Sequence, residues 1–330
     1  MIIYRVAALI LILVLFASVA FASRGDNNDF FRECQYKCQR SNCTKGAINF
    51  QTKSKLLQKQ SVFDKLFGWT CGEECRDECM WRTVKAFQER KWGVPQFYGK
   101  WPFIRIFGLQ EPASVIFSIM NFLAHFNQMR KFQSAVRKDS PCYRLWHIFA
   151  FVCLNGWFWS TIFHARDTNL TEFFDYVFAY SIVLATLYCM VMRFLFDKSL
   201  LLRGLVTVVF CSYYFNYFMH LYVGQFDYSF NMKANIITGA LSAVGWIIWS
   251  LIVWKRRPYA KKMVLFYLYL GPAFILEYLD FSPFLWTFDA HSLWHLSSVP
   301  LAFIIYSFAI DDCQHLRKEK MVLEHEDKIL

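Results

Sequence analysis

A chain of 330 residues that is 56% hydrophobic and 20% aromatic, with 36 Phe and 12 Trp, is too apolar for an ordinary water-soluble domain and has ample length for a polytopic helical bundle. Its formal net charge of +11 would suit a nucleic-acid partner. The lysines and arginines fall in short runs between apolar segments, however, and not along one soluble face, which excludes nucleic acid and points to orientation in a membrane.

In chain order, Arg5 precedes an apolar run from Val6 to Phe16, and small residues follow through Ala22 and Ser23. That is the pattern of a cleaved signal peptide over 1–23, with an uncleaved signal anchor as the alternative; both lead to the secretory pathway. Residues 24–100 are polar and carry Cys34, Cys38, Cys43, Cys71, Cys75 and Cys79 in two groups of three. An even set after a signal peptide implies disulfides in an oxidising lumen. Fifteen connectivities stay open, and a metal knuckle is the lesser alternative. Cys153, Cys189 and Cys211 lie inside apolar segments as inert packing residues. Asn42-Cys-Thr44 and Asn169-Leu-Thr171 match the glycosylation pattern, but the first abuts a cysteine and the second sits in a very short loop, so neither is assigned a glycan.

Seven apolar segments of spanning length follow, over 112–127, 143–163, 172–192, 200–223, 234–254, 263–279 and 292–310, the first and sixth being the shortest. The expected fold class is an all-α membrane protein, with a seven-transmembrane helix bundle over 101–310 and an amino-terminal disulfide-rich lumenal domain over 24–100. Residues 311–330 are expected as a cytosolic, poorly ordered tail carrying Arg317, Lys318 and Lys320. With the cysteine-rich domain in the lumen, the cytosolic loops hold Arg130, Lys131, Arg137 and Lys138, then Arg193, Lys198 and Arg203, then Lys255, Arg256, Arg257, Lys261 and Lys262. The lumenal loops between helices hold only Arg166 and Lys233, as the positive-inside rule requires.

This topology carries five polar residues to one membrane face. Ser160 and His164 close the second span at the lumen, Asp175 opens the third, and His291 and His295 open the seventh. Residues four apart on a helix are offset by about 40° and about 6 Å of rise, so His291 and His295 can reach one metal, and Ser160 and His164 share a face in the same way. Three neutral imidazoles with a fourth position left to water are the ligand set of a hydrolytic zinc site, where bound zinc lowers the water pKa toward about 7. A helix-capping Asp175, a packing Ser160 and satisfied core histidines are the plainer readings; their arrival at one membrane face argues against them. His125 and His147 fall toward the cytosolic side and His315 and His325 in the tail, so none is assigned as a ligand; His220, nearer the lumenal end of the fourth span, is within reach of the cavity, with core packing or a hydrogen bond the favoured reading. Asp289 and Glu277 are candidate partners for the histidines, with no spacing to recommend them. No phosphate loop, nucleophile elbow or soluble zinc-protease motif occurs, which favours metal-activated water over an acyl-enzyme at Ser160.

The stretches Asn155-Gly-Trp-Phe-Trp-Ser160-Thr-Ile-Phe-His164-Ala-Arg-Asp167 and Asp289-Ala-His291-Ser-Leu-Trp-His295, with Asp175 between them, resemble the superfamily of membrane hydrolases that includes alkaline ceramidases and the adiponectin and progestin receptors. Together with the signal peptide and cysteine-rich domain, they look more narrowly like the GPI-anchor lipid-remodelling phospholipase family, that of post-GPI attachment to proteins factor three and its yeast relatives. The resemblance implies a metal-dependent phospholipase A2 that removes the sn-2 acyl chain from GPI anchors, with GPI-anchored proteins as substrates and no obligate protein partner. It also implies residence in the Golgi membrane or, as in the yeast relatives, the endoplasmic reticulum. By the same resemblance His164, His291 and His295 would bind Zn2+, Asp175 would orient or deprotonate the water, and Ser160 would hydrogen-bond the water or the developing oxyanion.

The chain departs from the ceramidases before the first span, where they carry acidic residues around a tryptophan and this sequence has Lys100-Trp101-Pro102; no calcium site is carried over. Glu111 resembles an acidic residue common in the superfamily, and stabilisation of a helix amino terminus accounts for it. Trp157, Trp159, Phe173, Phe174, Trp286 and Trp294 would line an acyl cavity, form an interfacial belt or pack against lipid. The rival functions are a ceramide amidase and a seven-helix receptor or structural membrane protein. Free ceramide offers nothing for a large cysteine-rich domain to contact, and a receptor does not require the complete Ser, Asp and three-histidine set.

Overall fold

The structure, a computed structural model, describes residues 23–224 and 228–326. Apart from Ser23, the expected signal peptide therefore lies outside the described residues. Among these the chain is helical, with isolated β-bridges and no strand.

Helix α1 (Asp29–Asn42) starts where the Asn28 side chain accepts from the Phe30 N–H, short turns α2 (Lys55–Lys59) and α3 (Val62–Leu66) follow, and α4 (Cys71–Glu89) starts on a Thr70/Glu73 capping box. Cys34–Cys79, Cys38–Cys75 and Cys43–Cys71 pair as nested rungs, so α1 and α4 run antiparallel. Cysteines four apart lie one above another on a helix, which is why successive rungs fall one turn apart. In the chain-entropy account one bridge closing a loop of this length stabilises the fold by about 4 kcal/mol and each further nested bridge, closing a shorter remaining loop, adds less, still a large share for a domain too thin to build much core. The core it has is small: Phe31, Cys79, Val84 and Phe97 on one side, Cys43, Leu56, Cys71 and Cys75 on the other. Cys43, Cys71 and Cys75 lie close enough to share a metal, but all three sulfurs are committed to disulfides.

Among the described residues seven long helices make the bundle: α5 (Pro112–Ala135), α6 (Tyr143–Ala165), α7 (Asn169–Phe194), α8 (Leu200–Val223), α9 (Tyr228–Val253), α10 (Lys261–Leu279) and α11 (Ala290–Glu326). Six are long and apolar enough to cross a membrane. The exception is α5, whose inward stripe consists of the buried Ser118, Asn121, His125 and Gln128 and lowers its hydropathy. Helices α5, α6, α7, α9, α10 and α11 close a ring, each packed on the next, and α8 lies outside it against α7. Accordingly α8 buries only Tyr217 and Leu221. Far from the cysteine-rich domain the ring is filled by Trp146, Trp246, Met263, Tyr306 and Phe308.

Two expectations are corrected. Arg193, placed by its sequence in a cytosolic loop, is 5% exposed; its Nε donates to Asp312 at 2.7 Å, and the Tyr259 hydroxyl donates to the same carboxylate at 2.8 Å. The segment after Asp311, expected as a poorly ordered tail, continues α11 without a break to Glu326. One fact explains both: α11 outlasts its apolar stretch, and Asp312 needs a cation where it is buried.

Candidate metal centre

The end of α6, the start of α7 and the start of α11 meet beside the cysteine-rich domain. Helix α11 begins where the Asp289 carboxylate accepts from the Ser292 N–H, at 2.9 Å, and this fixes the first turn that carries His291 and His295. Helix α6 ends under the backbone of the next segment to arrive: the N–H groups of Gln110 and Glu111 donate to the carbonyls of Ala165 and His164 at 3.1 and 3.0 Å. Two of the orphan carbonyls of α6 are thus satisfied, and the entry to α5 is locked beside His164.

One candidate ligand nitrogen from each of His164, His291 and His295 lies within 4.8 Å of the others. Each ring is oriented from behind. His164 Nδ1 meets Glu111 Oε2 at 2.6 Å, His291 Nδ1 meets Glu277 Oε2 at 2.6 Å, and His295 Nδ1 meets Ser118 Oγ at 2.9 Å. A carboxylate only accepts, so the first two Nδ1 atoms carry protons and donate, and Nε2 of each ring is a ligand lone pair when that ring is neutral. Those two Nε2 atoms face each other at 3.4 Å. With both rings neutral these are two acceptors, and a cation between them, a metal ion or one shared proton, resolves the conflict. Tetrahedral zinc with bonds of about 2.0–2.1 Å separates its ligand nitrogens by about 3.3 Å, so the donor set fits the metal in kind and the His164–His291 pair fits it in spacing.

Of the other two expected residues, Ser160 lies near the end of α6 and Asp175 in the second turn of α7. Ser160 is buried, with its Oγ 3.1 Å from Ser118 Oγ. Asp175 lies in electrostatic range of His164 and His291, and its Oδ1 is buried with no hydrogen-bond partner, an orphan that a water in the centre would satisfy. His291 is the most open of the three rings, with 37% of its side chain exposed, and marks the mouth.

Three residues were missed or misread, Ser118, Glu111 and Lys100. Ser118, 0% exposed, links Ser160 to His295, and only its place in the polar stripe of α5 could have signalled it. Glu111 makes no cap hydrogen bond to its own helix; its carboxylate is divided between His164 and Lys100, 2.6 and 2.9 Å away. Burial would raise the Glu111 carboxyl, but Lys100 and then His164 hold it below the ordinary carboxylate range. Glu277 was named without a signal, and Lys100 was read only as a departure from the ceramidases. Asp289 caps α11 through Ser292, and His220 stacks on Phe230 at 4.0 Å, a packing role.

Among the aromatics, Trp157 lies edge-on to His295 at 5.3 Å, whereas Trp159 stacks on Phe174 at 4.4 Å. Trp286 packs on Trp81 of α4, at 5.1 Å, and so belongs to the domain contact instead of an acyl cavity.

Comparison with known proteins agrees over nearly the full length. The chain is 53% identical over 300 residues, 91% of this chain and 92% of the relative, to post-GPI attachment to proteins factor 3 of Drosophila melanogaster. It is 38% identical over 323 residues (95% and 96%) to the Homo sapiens protein named GPI-specific phospholipase A2-like PGAP3, and 39% identical over 303 residues (92% and 94%) to the Danio rerio protein of that name. Residues 61–313 match the model of the Per1-like family. The chain belongs to the Per1-like family.

Proposed function

We propose that this chain is a zinc-dependent phospholipase A2 that removes the sn-2 acyl chain from the anchors of GPI-anchored proteins. The observation that carries the reading is the pair of Nε2 atoms 3.4 Å apart whose Nδ1 atoms are both held by carboxylates. The substrate class rests on relatives named for GPI attachment and for GPI-specific phospholipase A2-like activity.

Zinc held by His164, His291 and His295 would supply a Lewis acid for the ester carbonyl and a water of lowered pKa. Glu111, Glu277 and Ser118 keep the three Nδ1–H groups engaged, so the rings present Nε2 to the centre without rotating. If His295 donates to Ser118, the Ser118 hydroxyl is free to donate to Ser160, and the Ser160 proton is left for the attacking water or the oxygen of the cleaved ester. The unpartnered Asp175 carboxylate is the base that receives the water's proton. The scissile bond joins the sn-2 carbonyl carbon to the glycerol oxygen. Hydroxide adds to the carbon, the bond to the glycerol oxygen breaks as that oxygen takes the proton held by Asp175, and a fatty acid and a lyso anchor result.

The site faces the lumen, because the three disulfides form in an oxidising compartment and stand at the same end of the bundle. We place the protein in the Golgi membrane, with the endoplasmic reticulum as the alternative. The test is the sn-2 chain composition of GPI anchors in cells lacking this protein, re-expressing wild type or His295→Ala. Remodelled anchors with wild type alone are the expected result. Equal rescue by the variant would remove the metal mechanism, and unchanged anchors in null cells would remove the substrate.

A further inference from the structure

Lys100 lies outside the helices, in the chain that leads from the cysteine-rich domain to α5. Its ammonium is 2.9 Å from Glu111 Oε1, 2.7 Å from Asp167 Oδ2 and 4.2 Å from the centre of the Phe163 ring. Glu111 uses its other oxygen on His164, and Phe163 and Asp167 flank that histidine in sequence. One cation thus touches three groups around a single candidate ligand.

The lysine is held from the cysteine-rich side. Phe97 and Lys100 exchange backbone hydrogen bonds at 2.7 and 3.0 Å, closing a tight turn, and the Phe97 ring is buried against Phe31 of α1 at 5.0 Å, among the residues around the Cys34–Cys79 bridge. The Tyr98 N–H in this turn donates to Asp26, and the Gly25 N–H donates to the Gln96 carbonyl, both at 2.9 Å. The residues after His164 grip the same body. Arg166 donates to Glu73 of α4 at 2.7 Å and stacks over Trp69 at 3.9 Å.

Resting on the zinc reading above, we propose that Lys100 is a positioning residue: the disulfide-bonded domain presents its ammonium to Glu111, and Glu111 so anchored holds His164 in ligating orientation. The domain is then part of the hydrolytic centre whatever it does for substrate recognition. Without the lysine, a carboxylate that is 7% exposed loses one of its two anchors and its nearest opposite charge. Partners standing behind a metal ligand are typically worth about 10–100-fold in metal affinity.

The experiment compares zinc dissociation constants, by chelator competition on the purified full-length protein in detergent, for wild type, Lys100→Met and Lys100→Arg, with Lys100→Ala measured with and without added ethylammonium. Disulfide content and melting temperature monitor folding. The expected result is an increase of about 10–100-fold for Lys100→Met, partial recovery in Lys100→Arg, and tightening of Lys100→Ala by ethylammonium. Saturating zinc should restore most activity to Lys100→Met, because Lys100 does not touch substrate. A lowered melting temperature with wild-type zinc affinity would make the lysine a mere structural tie and overturn the inference alone. A wild-type protein that binds no zinc would overturn the proposed function and this inference with it.

Discussion

The hydroxyl of Ser118 is the sharpest place to test how the centre is held. Ser118→Ala deletes a group that is 0% exposed and shared between Ser160 Oγ at 3.1 Å and His295 Nδ1 at 2.9 Å. The lost Ser118–Ser160 bond is worth about 1 kcal/mol, and leaving the His295 Nδ1 proton buried without an acceptor costs about 1–3 kcal/mol. Their sum, about 3 kcal/mol, corresponds to about 150-fold in kcat/KM at about 1.4 kcal/mol per factor of ten. The two parts separate experimentally. The His295 share weakens zinc binding and should recover at saturating metal; the Ser160 share, about fivefold, acts on the reaction and should persist in kcat. The assay is fatty-acid release from a GPI lipid by detergent-solubilised protein over a zinc titration, with Ser118→Thr as the conservative variant. Ser118→Ala activity within threefold of wild type at every zinc concentration would refute the Ser160–Ser118–His295 link.

Asp175→Asn is expected to lower kcat by at least about 100-fold with zinc content unchanged by elemental analysis, since the carboxylate has no structural partner to lose. At the opposite end, Asp312→Asn leaves Arg193 charged and buried; it should destabilise by about 3–5 kcal/mol in thermal melts while activity per folded molecule is retained. Burial would raise the Glu73 carboxyl, but the hydrogen bonds from Arg166 and Thr70 and the Arg166 charge together outweigh it and hold it below its ordinary value. The folded pKa being the lower one, this contact stabilises above the unfolded pKa of about 4.3 and is lost as pH falls through the folded value. Melting temperature should therefore decline with acidification below about pH 4.3, and Glu73→Gln should flatten that part of the profile.

The gathering of the three histidines was legible because two simple periodicities carry it. Spacing of four aligns His291 with His295 and Ser160 with His164, and counting spans puts both pairs and Asp175 at one end. Lys100 and Glu111 were not legible in the same way. They meet His164 from a non-helical linker and a helix terminus, across more than fifty residues, and no period connects them. Glu111 was read from its position as a dipole-stabilising charge, yet its carboxylate turns away from its own helix. The disulfide pairing was not legible: two groups of three cysteines left fifteen connectivities open, and only the antiparallel packing of α1 on α4 selects one. Arg193 misled because hydropathy ends α11 where its apolar residues end, whereas the helix continues and brings Asp312 to it.

The most direct measurement is zinc stoichiometry and sn-2 fatty-acid release on the same preparation of purified protein, before chelation, after chelation and after zinc is returned. One zinc per chain, activity lost and regained with it, and both absent in His291→Ala are the expected results. Undiminished sn-2 release from chelated, zinc-free protein would contradict the account.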